Sequence, residues 1–222
     1  MTINELIYNI RGQIKQSRPD DLQISDRQLE FMINYIREKL IVQQLQKGRS
    51  ISSNIKQDLG QVPVELVDKA EGDLKVNKLI FRTIDKIPQP IELDHTDLIT
   101  YVGGLDKHSG YPFKTKANAR WNTHNKYASK EPLSYYNSEH IYITNCSNPN
   151  LEFINIEGVF NNPRDVYKFK NPNGTPCYNP DLDNYPISGR MIDMLNDIIK
   201  TKELNIFLQI AEDSTNNADV KS

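Results

Sequence analysis

Four histidines (His95, His108, His124 and His140) and two cysteines (Cys146 and Cys177) are the side chains of this 222-residue chain whose types first suggest chemistry. Asp94-His95 with Asp97 offers two or three metal ligands in a short stretch. No H-x-x-x-H or H-E-x-x-H spacing, however, places two imidazoles on one helical face. His124-Asn125, downstream of His108, has the look of a small metal-dependent nuclease loop, without the paired cysteines or acidic ligands such a site needs. A Cys–His nucleophile requires Cys146 or Cys177 to face one of these histidines, and the mere presence of both residue types, common to most chains by chance, does not point to one. Gly103-Gly104 stands without the flanking glycines and lysine of a phosphate cradle and reads as a tight turn. The sequence predicts no enzyme, no cofactor and no metal site.

One other stretch carries chemistry-bearing residues at unusual density. Between Leu105 and Pro132, Lys107, Lys114, Lys116, Arg120, Lys126 and Lys130 stand against Asp106 and Glu131, interleaved with Tyr111, Phe113, Trp121 and Tyr127. Cations for phosphates and aromatics for bases are the composition of a single-strand-binding surface. Trp, Tyr and Arg are equally the residues enriched at protein–protein hot spots. The chain's formal net charge is −2 and its pI near 6.1, where a nucleic-acid-binding protein shows a basic excess. The balance favours a protein-contacting arm, with Tyr111, Phe113, Arg120, Trp121 and Tyr127 as its contact residues. A long stretch without periodicity inside a compact domain is functional or disordered, or in an oligomer reaches to a neighbour.

The elements that position this stretch follow from periodicity. Thr2 and Glu5 form a candidate capping box ahead of Ile3, Leu6, Ile7, Ile10 and Ile14, and Pro19-Asp20-Asp21 ends that helix. Ser25 and Gln28 form a second, ahead of Leu29, Met32, Ile33, Ile36, Leu40 and Leu45 in a helix over Asp26–Lys47 that breaks at Gly48. Neither helix is stable with one apolar stripe alone, so both need a partner. Pro186 suits a first helical turn, and Ile187, Met191, Met194, Leu195, Ile198 and Ile199 continue at helical spacing. Between these ends, 75–84, 97–102, 135–144 and 151–160 are β-branched and aromatic runs, with most of the twelve prolines around them. The fold expected is α+β: a helical bundle built from the N- and C-terminal segments, with a small inserted antiparallel β-rich domain. Its divisions are 1–60 for the N-terminal helices, 61–184 for the β-rich domain with its long loop 105–132, 185–211 for the helix completing the bundle, and 212–222 for a flexible polar tail.

Hydrophobic content of 37% and a mean hydropathy of −0.62 allow a core yet leave much polar surface, some of it suited to burial on assembly. No apolar run approaches the roughly 20 residues that cross a bilayer. The N-terminus lacks the basic and apolar regions of a signal peptide, and two cysteines make no disulfide framework. A protein made in a cytoplasm, with reduced thiols and no membrane partner, is expected.

An ordered set of short motifs adds to this. Asp26-Arg27 with Ile33 and Arg37 is followed by Arg49-Ser50-Ile51-Ser52, Gln57-Asp58-Leu59-Gly60 and the run from Val64 to Glu71. Next come Ile87-Pro88-Gln89-Pro90-Ile91, Tyr101-Val102-Gly103-Gly104-Leu105-Asp106, Tyr135-Tyr136 and Ile141-Tyr142-Ile143-Thr144-Asn145. The stretch from Ile156 to Pro163 and Tyr185-Pro186-Ile187 complete the series. This set resembles the head–tail connector (adaptor or ring) proteins of short-tailed bacteriophages, most closely those of crAss-like phages. The resemblance implies a non-enzymatic virion protein at the head–tail junction, assembled in the host cytoplasm. It also implies a homo-oligomeric ring, a dodecamer, docked beneath the portal protein with a further ring or tail protein below. Genomic DNA would pass through such a ring without sequence-specific binding, because many repeated phosphate contacts would resist packaging and ejection. On this expectation Leu204, Ile206, Phe207, Leu208 and Ile210, with the tail that follows, dock the portal. The alternative is a phage nucleic-acid-binding factor acting through the loop 105–132.

Overall fold

A computed structural model describes residues 1–17, 24–67, 79–94, 96–124, 131–199 and 201. The chain divides into two compact units: Met1–Asn54 with Asp181–Ser222, and Ile55–Pro180.

Among the described residues, the first unit holds three α-helices, α1 (Ile3–Ser17), α2 (Asp26–Gln46) and α4 (Gly189–Ile198). Both expected capping boxes form. Thr2 Oγ1 accepts from the Glu5 amide while Glu5 Oε2 accepts from the Thr2 amide, and Ser25 and Gln28 do the same at α2. Each box satisfies two amides that the helix cannot. Gly48 adopts a φ of +70°, and the Gly48 and Arg49 amides donate to the carbonyls of Leu45 and Gln44. This left-handed reversal stops α2. Ile3, Leu6, Ile7 and Ile10 of α1, Leu29, Met32, Ile33, Ile36 and Leu40 of α2, and Met191 and Leu195 of α4 are buried. Pro186 differs from its expected place: α4 begins only at Gly189, with Ser188 as N-cap. The Pro186 carbonyl instead accepts from Nε of the fully buried Arg37 at 2.7 Å, and the Tyr185 hydroxyl donates to Asn34 Oδ1 at 2.6 Å. Burying a guanidinium demands such partners.

The second unit is dominated by β-structure, which corrects the expectation of a helical bundle with a small β insert. Its strands are β1 (Gln57–Asp58), β2 (Val62–Leu66), β3 (Ile80–Thr83), β4 (Glu92–Leu93), β5 (Thr96–Asp97), β6 (Ile99–Gly103), β7 (Leu133–Asn137), β8 (His140–Thr144) and β9 (Phe153–Gly158). Seven of them form one antiparallel sheet, and β4 pairs with β5 apart from it. β9 is the hub. β1 and β2 share one of its edges, β6 takes the other, and β3, β8 and β7 follow beyond β2. Among the described residues, α-helix enters this unit as one nine-residue segment, α3 (Lys116–His124), beside a six-residue 3-10 helix at Pro163–Lys168. The run 135–144, expected as a single strand, contains the turn of the β7–β8 hairpin. Ser138 and Glu139 hold φ of +50° and +66° there, the backbone of a tight hairpin turn, with neither the Asn-Gly nor the Asp-Gly that advertises one.

The sheet curls around one core. Val62, Val64, Phe81, Ile141, Ile143, Ile154, Ile156 and Phe160 are buried on its inner face. Its outlying strands β6 and β7 are joined by the segment 110–114. Gly110 bridges Gly103, the Tyr111 amide donates to Val102, and the Lys114 amide and Ser134 carbonyl pair at 2.9 Å. Joining the margins in this way hides hydrogen-bonding edges that would otherwise recruit foreign strands.

Candidate contact surfaces

Strand residues alternate between faces, so the ladder register dictates which side chains line up outside the curl. One outer row runs Glu65, Arg82, Tyr142 and Tyr135 across β2, β3, β8 and β7. Within it Arg82 Nη2 lies 2.6 Å from Glu65 Oε1, and the Tyr135 and Tyr142 rings stack with centroids 5.3 Å apart. α3 rests on this row: Ala119 packs with Leu133 and Tyr135 against Tyr142, forming a second small core on the face opposite the first. Burial raises the Tyr135 phenol above its ordinary value, and the Tyr142 phenol adds to the shift. The neighbouring outer row is Phe153, Pro63 and Ile84, with the Ile84 amide donating to the Pro63 carbonyl at 3.0 Å. Phe153 and Ile84 remain exposed, and Trp121 on α3 is 77% exposed.

A second display lies on α2. Phe31, Tyr35 and Lys39 recur every four residues on the side away from its buried stripe. The Phe31 and Tyr35 rings stand 6.5 Å apart and within 3° of parallel, and Lys39 Nζ sits 4.0 Å above the Tyr35 ring. Phe31 is 72% exposed all the same. Neither this ladder nor the Phe153–Pro63–Ile84 row was singled out from sequence. The ladder was legible as a four-residue repeat on the polar face of α2; the row was not, because strand register assembles it.

The expected contact residues separate. Tyr111 and Phe113 are half-buried against the main core, where they anchor the closing segment 110–114. The Tyr111 phenol is pushed up to about 12, first by burial and then by its hydrogen bond with Cys146 Sγ. Arg120 and Trp121 are exposed on α3. Tyr127 lies outside the described residues, as do Leu204, Ile206, Phe207, Leu208 and Ile210. Two loop cations have partners within the unit: Lys107 pairs with Asp58, and Lys116 Nζ donates to Asn137 Oδ1 at 3.1 Å.

His140 and Cys146 serve the fold. His140 Nδ1 lies 2.9 Å from the Thr83 carbonyl, which can only accept, so the proton sits on Nδ1. His108 is exposed in the turn after β6, and His95 falls outside the described residues. Cys146 is buried in the main core. The Cys177 thiol is pushed up to about 11, mainly by burial and secondarily by the Asp58 carboxylate. Among the described residues no three His, Cys, Asp or Glu side chains gather as a metal site, and no helix is long and apolar enough to cross a membrane.

Fold and surface together define a class: a two-unit protein of helices and a large antiparallel sheet, displaying ordered aromatic and apolar side chains on solvent-facing elements. Comparison with known families makes this specific. The chain belongs to the phage tail ring protein 2 family of crAss-like phages, whose family model matches residues 5–220. No curated protein matches it. It is a structural ring component of a phage tail, and its place is the virion.

Proposed function

We propose that the chain is the repeating subunit of a ring in the head–tail connector of a crAss-like phage. It docks between the portal and the adjacent tail component, twelve copies closing around the path of the genome, after synthesis in the host cytoplasm. The match to the tail ring family over residues 5–220 carries this reading. Surface chemistry supports it. A ring of identical subunits needs two different complementary faces on each copy, joined head to tail. The chain offers two candidates of unlike chemistry: the cation-capped aromatic ladder on α2, and the outer face of the sheet unit, with the apolar row Phe153–Pro63–Ile84 and, on α3, Arg120 and Trp121. The net charge of −2 suits a lumen through which duplex slides without being held.

In this reading Leu204, Ile206, Phe207, Leu208 and Ile210 dock the portal. Deletion from Leu204 onward is expected to abolish portal binding by the purified chain while leaving its thermal unfolding unchanged; undiminished binding would remove that assignment. Reconstruction of the intact particle tests the whole reading, because copy number and neighbours are read together. A chain absent from purified virions, or present away from the head–tail junction, would overturn it.

A further inference from the structure

Where the C-terminal turn of α2 meets the start of α4, Leu40, Lys47, Arg49, Arg190 and Met194 surround a groove of about 180 Å³. Its charge is one-sided. Lys47, Arg49 and Arg190 are all exposed, and none of the three has a carboxylate partner among the described residues. Other cations of this chain, such as Arg11 with Asp26, Lys86 with Glu139 and Lys107 with Asp58, do have carboxylate partners. The groove also has an apolar side, since Met194 is 43% exposed on α4 although it follows the buried Met191 by one helical turn. Its construction is specific. The left-handed Gly48 turns the chain so that Arg49 returns beside the helix end it has just left, its amide bonded to the Gln44 carbonyl. Ser188 caps α4 without a side-chain hydrogen bond; the Met191 amide donates to the Ser188 carbonyl, and no side chain caps the Gly189 and Arg190 amides before it.

The occupant that matches is encoded in the same chain. From Glu203 to Val220 there are four carboxylates (Glu203, Glu212, Asp213 and Asp219) and no cation, and Glu212-Asp213 follows directly on Ile210-Ala211. An acidic pair preceded by the small Ala211 complements three cations beside an exposed methionine. Arg190 and Met194 of α4 line the groove, and the helix ends at Ile198. Thirteen residues separate that end from Glu212, and extended they span up to about 45 Å, a reach sufficient for a neighbouring copy. In a ring the matching groove of the next copy is repeated around the axis.

We propose that the groove formed by Lys47, Arg49, Arg190 and Met194 receives Glu212-Asp213 of a neighbouring copy, so that each subunit is clasped by the tail of the next. This deepens the ring reading and rests on it. The clasp leaves 204–210 free to face a different partner, and it links adjacent copies through a charge-assisted, salt-sensitive contact.

Two measurements test it. Virions are grown with the full-length chain carrying Arg190→Cys and Asp213→Cys, oxidised, and run on a denaturing gel without reductant. A ladder of covalent multimers, absent from either single variant, is expected. A cross-linked monomer alone would mean that the tail folds onto its own groove, and no cross-link would mean that the tail goes elsewhere; either overturns the proposal. The second measurement needs no virion and decides the matter if the double variant is not packaged. A labelled peptide spanning 208–220 is titrated into full-length chain whose own acids are neutralised (Glu212→Gln, Asp213→Asn). Binding is expected to weaken by about tenfold or more when Lys47→Glu and Arg190→Glu are added, the size of one lost charge-assisted contact. No binding, or binding indifferent to those substitutions, overturns the proposal. Failure of the ring reading looks different, because the chain would then be missing from purified particles.

Discussion

Gly60 shows how much a single position can carry. It sits between β1 and β2 at a φ of +63°, its amide donates to Asp58 Oδ1 at 2.7 Å, and its carbonyl accepts from Asn155 Nδ2. A Cβ there would lie 2.7 Å from Cys177 Sγ and 2.8 Å from the Lys170 carbonyl oxygen. Backbone strain and collision act together, so Gly60→Ala is expected to destabilise the protein by about 1–3 kcal/mol, read as a lowered urea midpoint. The adjacent Cys177 makes stability depend on pH. Its folded value, about 11, stands above the ordinary 9.0, so the folded chain holds that proton more tightly than the unfolded chain. The contribution is complete below pH 9.0 and is lost as pH rises toward about 11. Cys177→Ser, which does not titrate there, should flatten the fall of the urea midpoint over that window. An unchanged slope would show that the thiol is not held in this environment.

At the scale of elements, helix ends are where local chemistry decides. The Ser25–Gln28 box closes the start of α2 and Gly48 closes its end, both from residues within four positions of the boundary. Ser25→Ala is expected to cost about 1 kcal/mol, measured by thermal or chemical unfolding, with the ring contacts untouched. The helix spans around those caps were accordingly legible in sequence. Strands were legible only as runs of suitable residues. β9 pairs with β1, β2 and β6, whose partners in register, such as Gln57 with Gly158 and Ile99 with Gly158, lie far apart in sequence. A strand of two residues such as β1 carries no periodicity by which to find it. The sheet was therefore expected to be smaller than it is. α3 escaped for a different reason: Ala119, the one residue buried among its described side chains, makes no stripe, and it is held by Leu133, Tyr135 and Tyr142 from other elements.

For the whole molecule, the useful distinction is between residues that hold the chain together and residues it shows to others. Tyr111 and Phe113 belong to the first group, and Trp121, Ile84 and Phe153 to the second. Trp121→Ala is expected to leave the melting temperature nearly unchanged, within the range of ordinary surface substitutions, and to lower incorporation into virions. Ile84→Glu with Phe153→Glu should act the same way and more strongly, since two charges would be buried on assembly. Quantifying the chain in purified particles against the capsid protein checks both. Normal incorporation would exclude that face from subunit contact. Tyr111→Ala should instead lower stability by several kcal/mol, because a half-buried aromatic at the closing seam is lost.

Sequence alone determined the helix caps and stripes, the acidic balance of the chain and its family, since all three reside in residue types and short spacings. The tertiary structure decided the rest: that the sheet is the larger part of the second unit, that segment 110–114 joins its margins, and which aromatics of the basic stretch face inward. The reason is range. A cap or a helical stripe is satisfied within one or two turns of chain. A strand's hydrogen bonds and the face it buries are settled by partners a hundred residues away, and only the closed ladder says which side of each strand meets solvent.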